Sequence, residues 1–171
     1  MRKIVIIGPE CTGKTTLAGQ LAEHYNTKFV PEFAREYLKE IGLDYTFDDV
    51  ISMAQAQMDL EQRFQAENLF VDTNLYVFKV WIEEKYNNTV DWLEEQIAEH
   101  KNSYHHYLLC DIDIPWQGDN LREHPNTEDR QRLFNRYKEL LEQDGTPFSV
   151  ISGLGDARLK KSVEIIDALI K

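Results

Sequence analysis

Residues 8–15 read Gly-Pro-Glu-Cys-Thr-Gly-Lys-Thr, which matches the phosphate-binding pattern G-x-x-x-x-G-K-[ST] in full. The apolar, β-branched run at residues 3–7 predicts a buried strand before it, and the periodic Leu and Ala positions of residues 16–24 predict a helix after it. Gly8 and Gly13 permit backbone angles that turn successive N–H groups towards a phosphate, at the anion-favouring end of the helix. The order strand, loop, helix therefore predicts a nucleoside triphosphate site.

The positions of this P-loop have expected roles around bound ATP. Lys14 would reach the β- and γ-phosphates, and the Thr15 hydroxyl would ligate Mg²⁺. The other residues predicted to bind the nucleotide are Gly8, Glu10, Cys11, Thr12, Gly13 and Thr16. For Cys11 a small, tolerated side chain is a better interpretation than a redox switch.

The composition limits the class of protein. A length of 171 residues with 42% hydrophobic residues is typical of one globular domain, expected to span 1–171. The net charge of −11 argues against non-specific nucleic-acid binding. There is no apolar run of membrane-spanning length and no signal peptide, which argues against a membrane partner. The two cysteines, Cys11 and Cys110, lack metal-site spacing, so a cytoplasmic location is expected.

Short apolar segments alternate with longer periodic segments along the chain. The predicted strands are 3–7, 28–30, 69–72, 107–110 and 148–151. The predicted helices are 16 to about 25, 32–41, 46 or 48 to about 66, 75–86, 90–100, 127–143 and 157–170. This alternation predicts an α/β fold, a three-layer sandwich with a five-stranded parallel sheet between helices.

Ligands of an open parallel sheet bind beyond the carboxyl ends of its strands. Asp72 ends a predicted apolar strand, as does the acidic residue that holds Mg²⁺ or its water in P-loop proteins. The alternative is that Asp72 or Thr73 caps the next helix. We favour a metal or catalytic role for Asp72, and the two roles are compatible.

Glu32 and Arg35 follow the second predicted strand and are three residues apart, on one face of a helix. The Glu32 carboxylate would accept a hydrogen bond from an attacking hydroxyl, and the Arg35 guanidinium would hold a phosphoryl or ribose group. The alternative is a surface salt bridge between the two side chains. Their position after a strand favours the functional interpretation.

Residues 111–125 form a long polar segment with prolines, aspartates, Trp116 and Arg122. In a phosphoryl-transfer enzyme such a segment acts as a lid, here about 111–130, that excludes water and brings an arginine to the transferred group. Trp116 would stack on a flat ring or, as an alternative, pack at the domain edge. Among the arginines of the following helix, Arg130 is the one expected to reach the site.

Four motifs in this order resemble the nicotinamide riboside kinase domain of NadR-type proteins over nearly the whole chain. They are the P-loop, Glu32-x-x-Arg35-Glu36-Tyr37, Asp72-Thr73 and Pro115-Trp116-x-x-Asp119-x-x-Arg122. The resemblance implies a P-loop kinase fold with a lid. It also implies transfer of the γ-phosphoryl group of ATP to the 5′-hydroxyl of nicotinamide riboside, giving nicotinamide mononucleotide.

The resemblance also implies roles for individual residues. The P-loop end, Gly13 to Thr16, would hold ATP and Mg²⁺, with Asp72 as a further metal ligand. The residues implied to bind substrate are Glu32, Arg35, Asp72, Trp116, Asp119 and Arg122, with Trp116 at the nicotinamide ring and the two arginines as phosphate clamps. Lys14, Glu32, Asp72 and Arg122 are the catalytic candidates, and the choice between Glu32 and Asp72 as base stays open.

Two other functions remain compatible with these motifs. One is a kinase for a different nucleoside or small metabolite, and the other is a regulatory P-loop ATPase. NadR-type proteins carry an adenylyltransferase domain before the kinase, whereas this chain begins at the P-loop strand. A product that stops at the mononucleotide is therefore expected. The sequence predicts neither the preference for ATP over GTP nor the oligomeric state.

Overall fold

The computed structural model describes residues 1–170. Within this range the strands are β1 (Arg2–Ile7), β2 (Lys28–Val30), β3 (Asn68–Asp72), β4 (His106–Cys110) and β5 (Phe148–Ile151). The α-helices are α1 (Lys14–His24), α2 (Phe33–Ile41), α3 (Phe47–Gln62), α4 (Leu75–Tyr86), α5 (Asp91–His100), α6 (Thr127–Gln143) and α7 (Gly155–Ile170). A short 3₁₀ turn, Lys101–Ser103, follows α5.

All five strands are parallel and lie in the order β2-β3-β1-β4-β5, so the predicted fold class is confirmed. The register aligns the strand ends at the centre of the sheet, because Ile6 lies opposite Asp72 on one side and Leu108 on the other. This alignment puts the end of β3 directly beside the start of the P-loop.

The alternating side chains of β1 belong to two separate cores. Ile4 and Ile6 pack with α1 and α7 on one face of the sheet. Val5 and Ile7 pack on the other face in a larger core that includes side chains of α2 to α6. The sheet is therefore buried on both faces, as its continuous apolar strands require.

The bounds of several helices differ from the sequence prediction by one or two residues, and the end of α3 differs by more. Helix α3 ends at Gln62 rather than near Ala66, and its start at Phe47 is fixed by Thr46, whose hydroxyl accepts from the Asp49 backbone N–H in a capping box. Helix α7 begins two residues earlier than predicted, at Gly155. Across residues 1–170, each helix is too short or too polar to cross a bilayer.

Candidate active site

The P-loop follows β1 without a gap and depends on its two glycines. Gly8 has a φ of 142°, and a Cβ there would lie 2.8 Å from the carbonyl oxygen of Cys110. Gly13 is the N-cap of α1 with a φ of 74°, in the left-handed region. Side chains at these positions would strain the backbone or push β4 away from β1, so the sequence motif is a steric requirement here.

The loop is closed by its own side chains. Thr12 is buried, and its hydroxyl donates to the carbonyl oxygen of Pro9 at 2.8 Å. The Lys14 ammonium group donates to the same oxygen at 3.0 Å. Thr15 and Thr16 are exposed in the first turn of α1. The positive end of α1, Lys14 and these hydroxyls thus form an anion site with a place for a cation.

Asp72 is fully buried at the end of β3, and neither of its carboxylate oxygens has a hydrogen-bond partner among residues 1–170. Burial raises the pKa of Asp72 to about 6, the negative charge of Glu32 adds to the rise, and Lys14 and Thr15 oppose it. An ionised carboxylate without a partner is costly, so this side chain suits a role as ligand of a cation or of a water that the cation holds.

The residues present fit Mg²⁺. Thr15 and Asp72 are hard oxygen donors, and Mg²⁺ in phosphate sites is held by one or two protein ligands plus phosphate oxygens and water. Residues 1–170 contain no cluster of three or more His, Cys, Asp or Glu side chains that would make an all-protein metal cage. A metal at this site would therefore arrive with the nucleotide.

The interpretation of Asp72 or Thr73 as a helix cap is wrong. Asn74 is the N-cap of α4, and its side chain accepts from the Tyr76 backbone N–H at 3.2 Å. Thr73 has a φ of 77°, unusual for a β-branched residue. The strained turn ends β3 so that Asp72 remains beside the P-loop, which is a common arrangement at functional sites.

Glu32 and Arg35 lie side by side but do not form the surface salt bridge considered as an alternative. The Arg35 guanidinium instead binds Asp119, with 2.6 Å between Nη2 and Oδ2. This hydrogen bond holds the pKa of Asp119 below its usual value. Glu32 is the N-cap of α2, but its side chain makes no capping hydrogen bond. Its carboxylate lines the central cavity described below.

The segment 111–126, between β4 and α6, is docked against the P-loop. Arg122 Nη1 lies 3.2 Å from Cys11 Sγ, and Arg122 Nε lies 3.1 Å from the carboxylate of Asp119. The Glu10 carboxylate accepts from the backbone N–H groups of Glu123 and His124 at 3.0 and 3.1 Å. The predicted lid thus contacts the nucleotide site through Glu10, Cys11 and Arg122.

Two guanidinium groups lie within cation–π distance of the Trp116 ring. The Cζ atoms of Arg122 and Arg130 each lie 5.8 Å from its ring centroid. Arg130 is buried and donates to the carbonyl oxygens of Cys11 and Ile114 at 3.2 and 3.1 Å, so it reaches the P-loop as predicted.

A cavity of about 550 Å³ adjoins the P-loop. Its lining includes the P-loop with Glu32, Arg35 and Arg122, together with apolar and aromatic side chains of α4 and α6: Val77, Val80, Trp81, Leu133 and Tyr137. Trp116 and Asp119 are not among the described residues that line it. Its Trp and Tyr side chains are Trp81 of α4 and Tyr137 of α6, neither of which the sequence analysis selected.

Arg158 is a further residue that sequence reasoning missed. It is 4% exposed, and its guanidinium donates to the carbonyl oxygens of Thr12, Gly153 and Asp111 and to the carboxylate of Asp113. One side chain thus joins the loops after β1, β4 and β5. Its location after a strand was a usable signal, but its partners are distant in sequence.

The parallel sheet, the P-loop with a lysine and a threonine, and the acidic side chain at the end of β3 define a P-loop nucleotide-binding protein. The family model described as "AAA domain" matches residues 3–158. The chain belongs to this AAA-domain family.

The chain is also similar in sequence to proteins whose names state a function. The trifunctional NAD biosynthesis/regulator protein NadR of Escherichia coli strain K12 is 26% identical over 174 residues, which are 97% of this chain and 42% of that protein. The sequence-based resemblance to NadR-type proteins is thereby confirmed. A tRNA dimethylallyltransferase of Cytophaga hutchinsonii is 28% identical over 178 residues, covering 95% of this chain and 53% of that protein. The chain therefore spans about half or less of these relatives.

Solved structures agree on the fold. The crystal structure of NadR protein in complex with NR superposes with a TM-score of 0.72 at 20% identity, covering 98% of this chain and 51% of that chain. Deoxyadenosine kinase from M. mycoides with bound dATP superposes with a TM-score of 0.61 at 16% identity, covering 98% of this chain and 100% of the other. Both agree with the predicted P-loop kinase fold.

Proposed function

We propose that this protein is an ATP-dependent kinase that phosphorylates the 5′-hydroxyl of nicotinamide riboside. The observation that carries the proposal is the cavity beside the P-loop, whose lining combines a carboxylate, Glu32, with the aromatic rings of Trp81 and Tyr137. A nucleoside needs both, because its hydroxyl reacts and its base is a flat ring.

The aromatic lining supports nicotinamide riboside among nucleosides. The nicotinamide ring of this substrate is a cationic pyridinium, which the faces of Trp and Tyr attract. NadR, the relative that matches over 97% of this chain, is named for NAD biosynthesis, and a NadR protein has been crystallised with NR.

We assign Glu32 as the base and Asp72 as the ligand of the metal. Glu32 lines the cavity, whereas Asp72 is fully buried behind it beside Thr15. The Glu32 carboxylate would take the proton of the acceptor hydroxyl as the new P–O bond forms and the bond from the γ-phosphorus to the bridging oxygen breaks. Mg²⁺, when bound, would neutralise the charge of the β- and γ-phosphates.

The arginines have a role in charge stabilisation. Arg35 and Arg122 share the carboxylate of Asp119 at 2.6 and 3.1 Å. A bound γ-phosphate would compete with Asp119 for both guanidinium groups, because a phosphate carries more charge and accepts bidentate bonds. Residues 111–130 would then act as the lid predicted from the sequence, with Asp119 as the partner that holds it in place without substrate.

The alternative functions differ in their acceptor. A regulatory ATPase would hydrolyse ATP slowly and would not respond to a nucleoside. A tRNA substrate, suggested by the dimethylallyltransferase relative, is opposed by the net charge of −11. A kinase for another nucleoside is the alternative nearest to our proposal.

The proposal is tested by ADP release from ATP and Mg²⁺ with and without nicotinamide riboside, together with the mass of the product. We expect strong stimulation and a new mononucleotide. Adenosine, uridine and deoxyadenosine serve as uncharged acceptors for comparison. Stimulation by one of them but not by nicotinamide riboside would contradict the substrate, and no stimulation by any acceptor would favour the regulatory ATPase.

Replacing Trp81 tests which aromatic side chain contacts the acceptor. We expect Trp81→Ala to raise KM for nicotinamide riboside by about 5–30-fold, since loss of a stacking and cation–π contact costs about 1–2 kcal/mol. Trp116→Ala should act mainly on kcat, through Arg122 and the lid. Steady-state kinetics with each substrate varied would measure both effects, and Trp81→Phe is the matched variant that keeps a ring. A larger acceptor KM for Trp116→Ala than for Trp81→Ala would restore the sequence-based assignment.

A further inference from the structure

Gln57 is a buried amide on α3 that makes hydrogen bonds to three backbone groups. It is 1% exposed. Its Oε1 accepts from the backbone N–H of Phe33 at 2.7 Å, and its Nε2 donates to the carbonyl oxygens of Pro31 and Thr73, each at 3.2 Å. These three bonds satisfy one acceptor and two donors of a side chain that otherwise sits in an apolar core.

The partners of Gln57 flank both acidic residues of the site. Pro31 and Phe33 are the neighbours of Glu32 on either side, and Thr73 directly follows Asp72. One side chain therefore holds the backbone around the carboxylate that lines the cavity and the backbone next to the carboxylate that is buried behind it.

The hydrogen bonds of Gln57 join the two segments just beyond the point where the pairing of β2 with β3 ends. The pairing of β2 with β3 ends at Val30 and Val71, one residue before Pro31 and Asp72. The β2–β3 register contains no pair beyond that point, and Thr73 adopts a strained φ of 77°. A strained turn needs surrounding contacts to hold it, and the bond from Gln57 to the Thr73 carbonyl is such a contact.

We propose that Gln57 is a positioning residue that fixes the separation between Glu32 and Asp72. This inference rests on the proposed function, in which Glu32 would bind the acceptor hydroxyl and Asp72 would be a ligand of the metal. Gln57 is not among the residues that line the cavity. It would act by setting the distance between the two carboxylates, and misplacement by about 1 Å costs on the order of 10²-fold in rate.

The test compares Gln57→Met with Gln55→Met in the full-length protein. Methionine keeps the length of the side chain and removes its donors and acceptor. Gln55 lies two residues before Gln57 on α3, on another face of the helix, and it is exposed. Its replacement therefore controls for a general effect on the helix. We expect Gln57→Met to lower kcat by about 10–100-fold, with KM for ATP changed much less, and Gln55→Met to match the wild type. Gln57→Glu, which keeps the shape and the bond from Phe33, is the second variant should Gln57→Met not fold.

Hydrogen exchange gives a readout that does not depend on the acceptor. The Phe33 amide should exchange faster in Gln57→Met than in Gln55→Met. If the wild type is active and kcat is unchanged in Gln57→Met and Gln57→Glu, this inference alone is overturned. The same holds if Gln57→Met raises KM for ATP by as large a factor as it lowers kcat. A wild type that makes no nicotinamide mononucleotide would overturn the proposed function and the catalytic part of this inference together. The exchange rate of the Phe33 amide would still report whether Gln57 holds the backbone beside Glu32.

Discussion

Replacing Lys14 with alanine is expected to lower kcat by about 10²–10³-fold or more, because a charge aimed at the transferred phosphoryl group is lost. In the protein without nucleotide, the Lys14 ammonium group donates to the Pro9 carbonyl at 3.0 Å and lies at the N-terminus of α1. Removing a cation from this end of a helix does not reduce its stability, since the helix dipole is unfavourable to a positive charge there. The fold should therefore be retained.

The measurement is initial rate with saturating ATP and acceptor, beside thermal unfolding of the same samples. Lys160→Ala is the matched control, because Lys160 is exposed on α7, on a helix away from the cavity lining. Normal turnover in Lys14→Ala would mean that this P-loop is not the phosphate site. A large fall in melting temperature would mean that the loss of rate reports on folding instead.

Local patterns were sufficient to predict the fold. The strands β2 and β5 and the helices α4 and α6 begin and end where the apolar periodicity places them. The sequence also predicted that Asp72 and Glu32 follow strands. The parallel order of the strands then brings them next to the P-loop, as the rule for open sheets requires.

The residues that complete the site depend on contacts between distant segments, which no local pattern reveals. In the sequence, Trp81 is one of many apolar positions on α4. In the structure, α4 packs beside α6, and Trp81 lines the cavity. Gln57 and Arg158 bind backbone carbonyls of loops far away in sequence. Trp116 was selected because it lies in a polar loop, yet it lies beside Arg122 and Arg130 and is not part of the cavity lining; its contact with substrate stays a prediction.

Asp72→Asn should stabilise the protein without nucleotide while impairing its reaction. Burial raises the pKa of Asp72 from 3.8 to about 6, so the folded state disfavours the ionised carboxylate. The free energy of unfolding is then reduced progressively as pH rises from about 4 to about 6, by a total of about 3 kcal/mol. Asparagine carries no charge, so the variant should be more stable than the wild type near pH 8 and about equal to it near pH 4.

Denaturant unfolding at both pH values measures this difference, with Asp59→Asn on the exposed side of α3 as the matched control. In kinetics, Asp72→Asn should raise the Mg²⁺ concentration needed for half-maximal rate, because a metal ligand is lost. Glu32→Gln should lower kcat by about 10²–10⁴-fold and leave the Mg²⁺ requirement unchanged. The opposite pattern would exchange the roles of base and metal ligand. A stabilised but inactive Asp72→Asn would identify the unpartnered carboxylate as a cost in stability that the protein retains for catalysis, since nothing in the fold requires it.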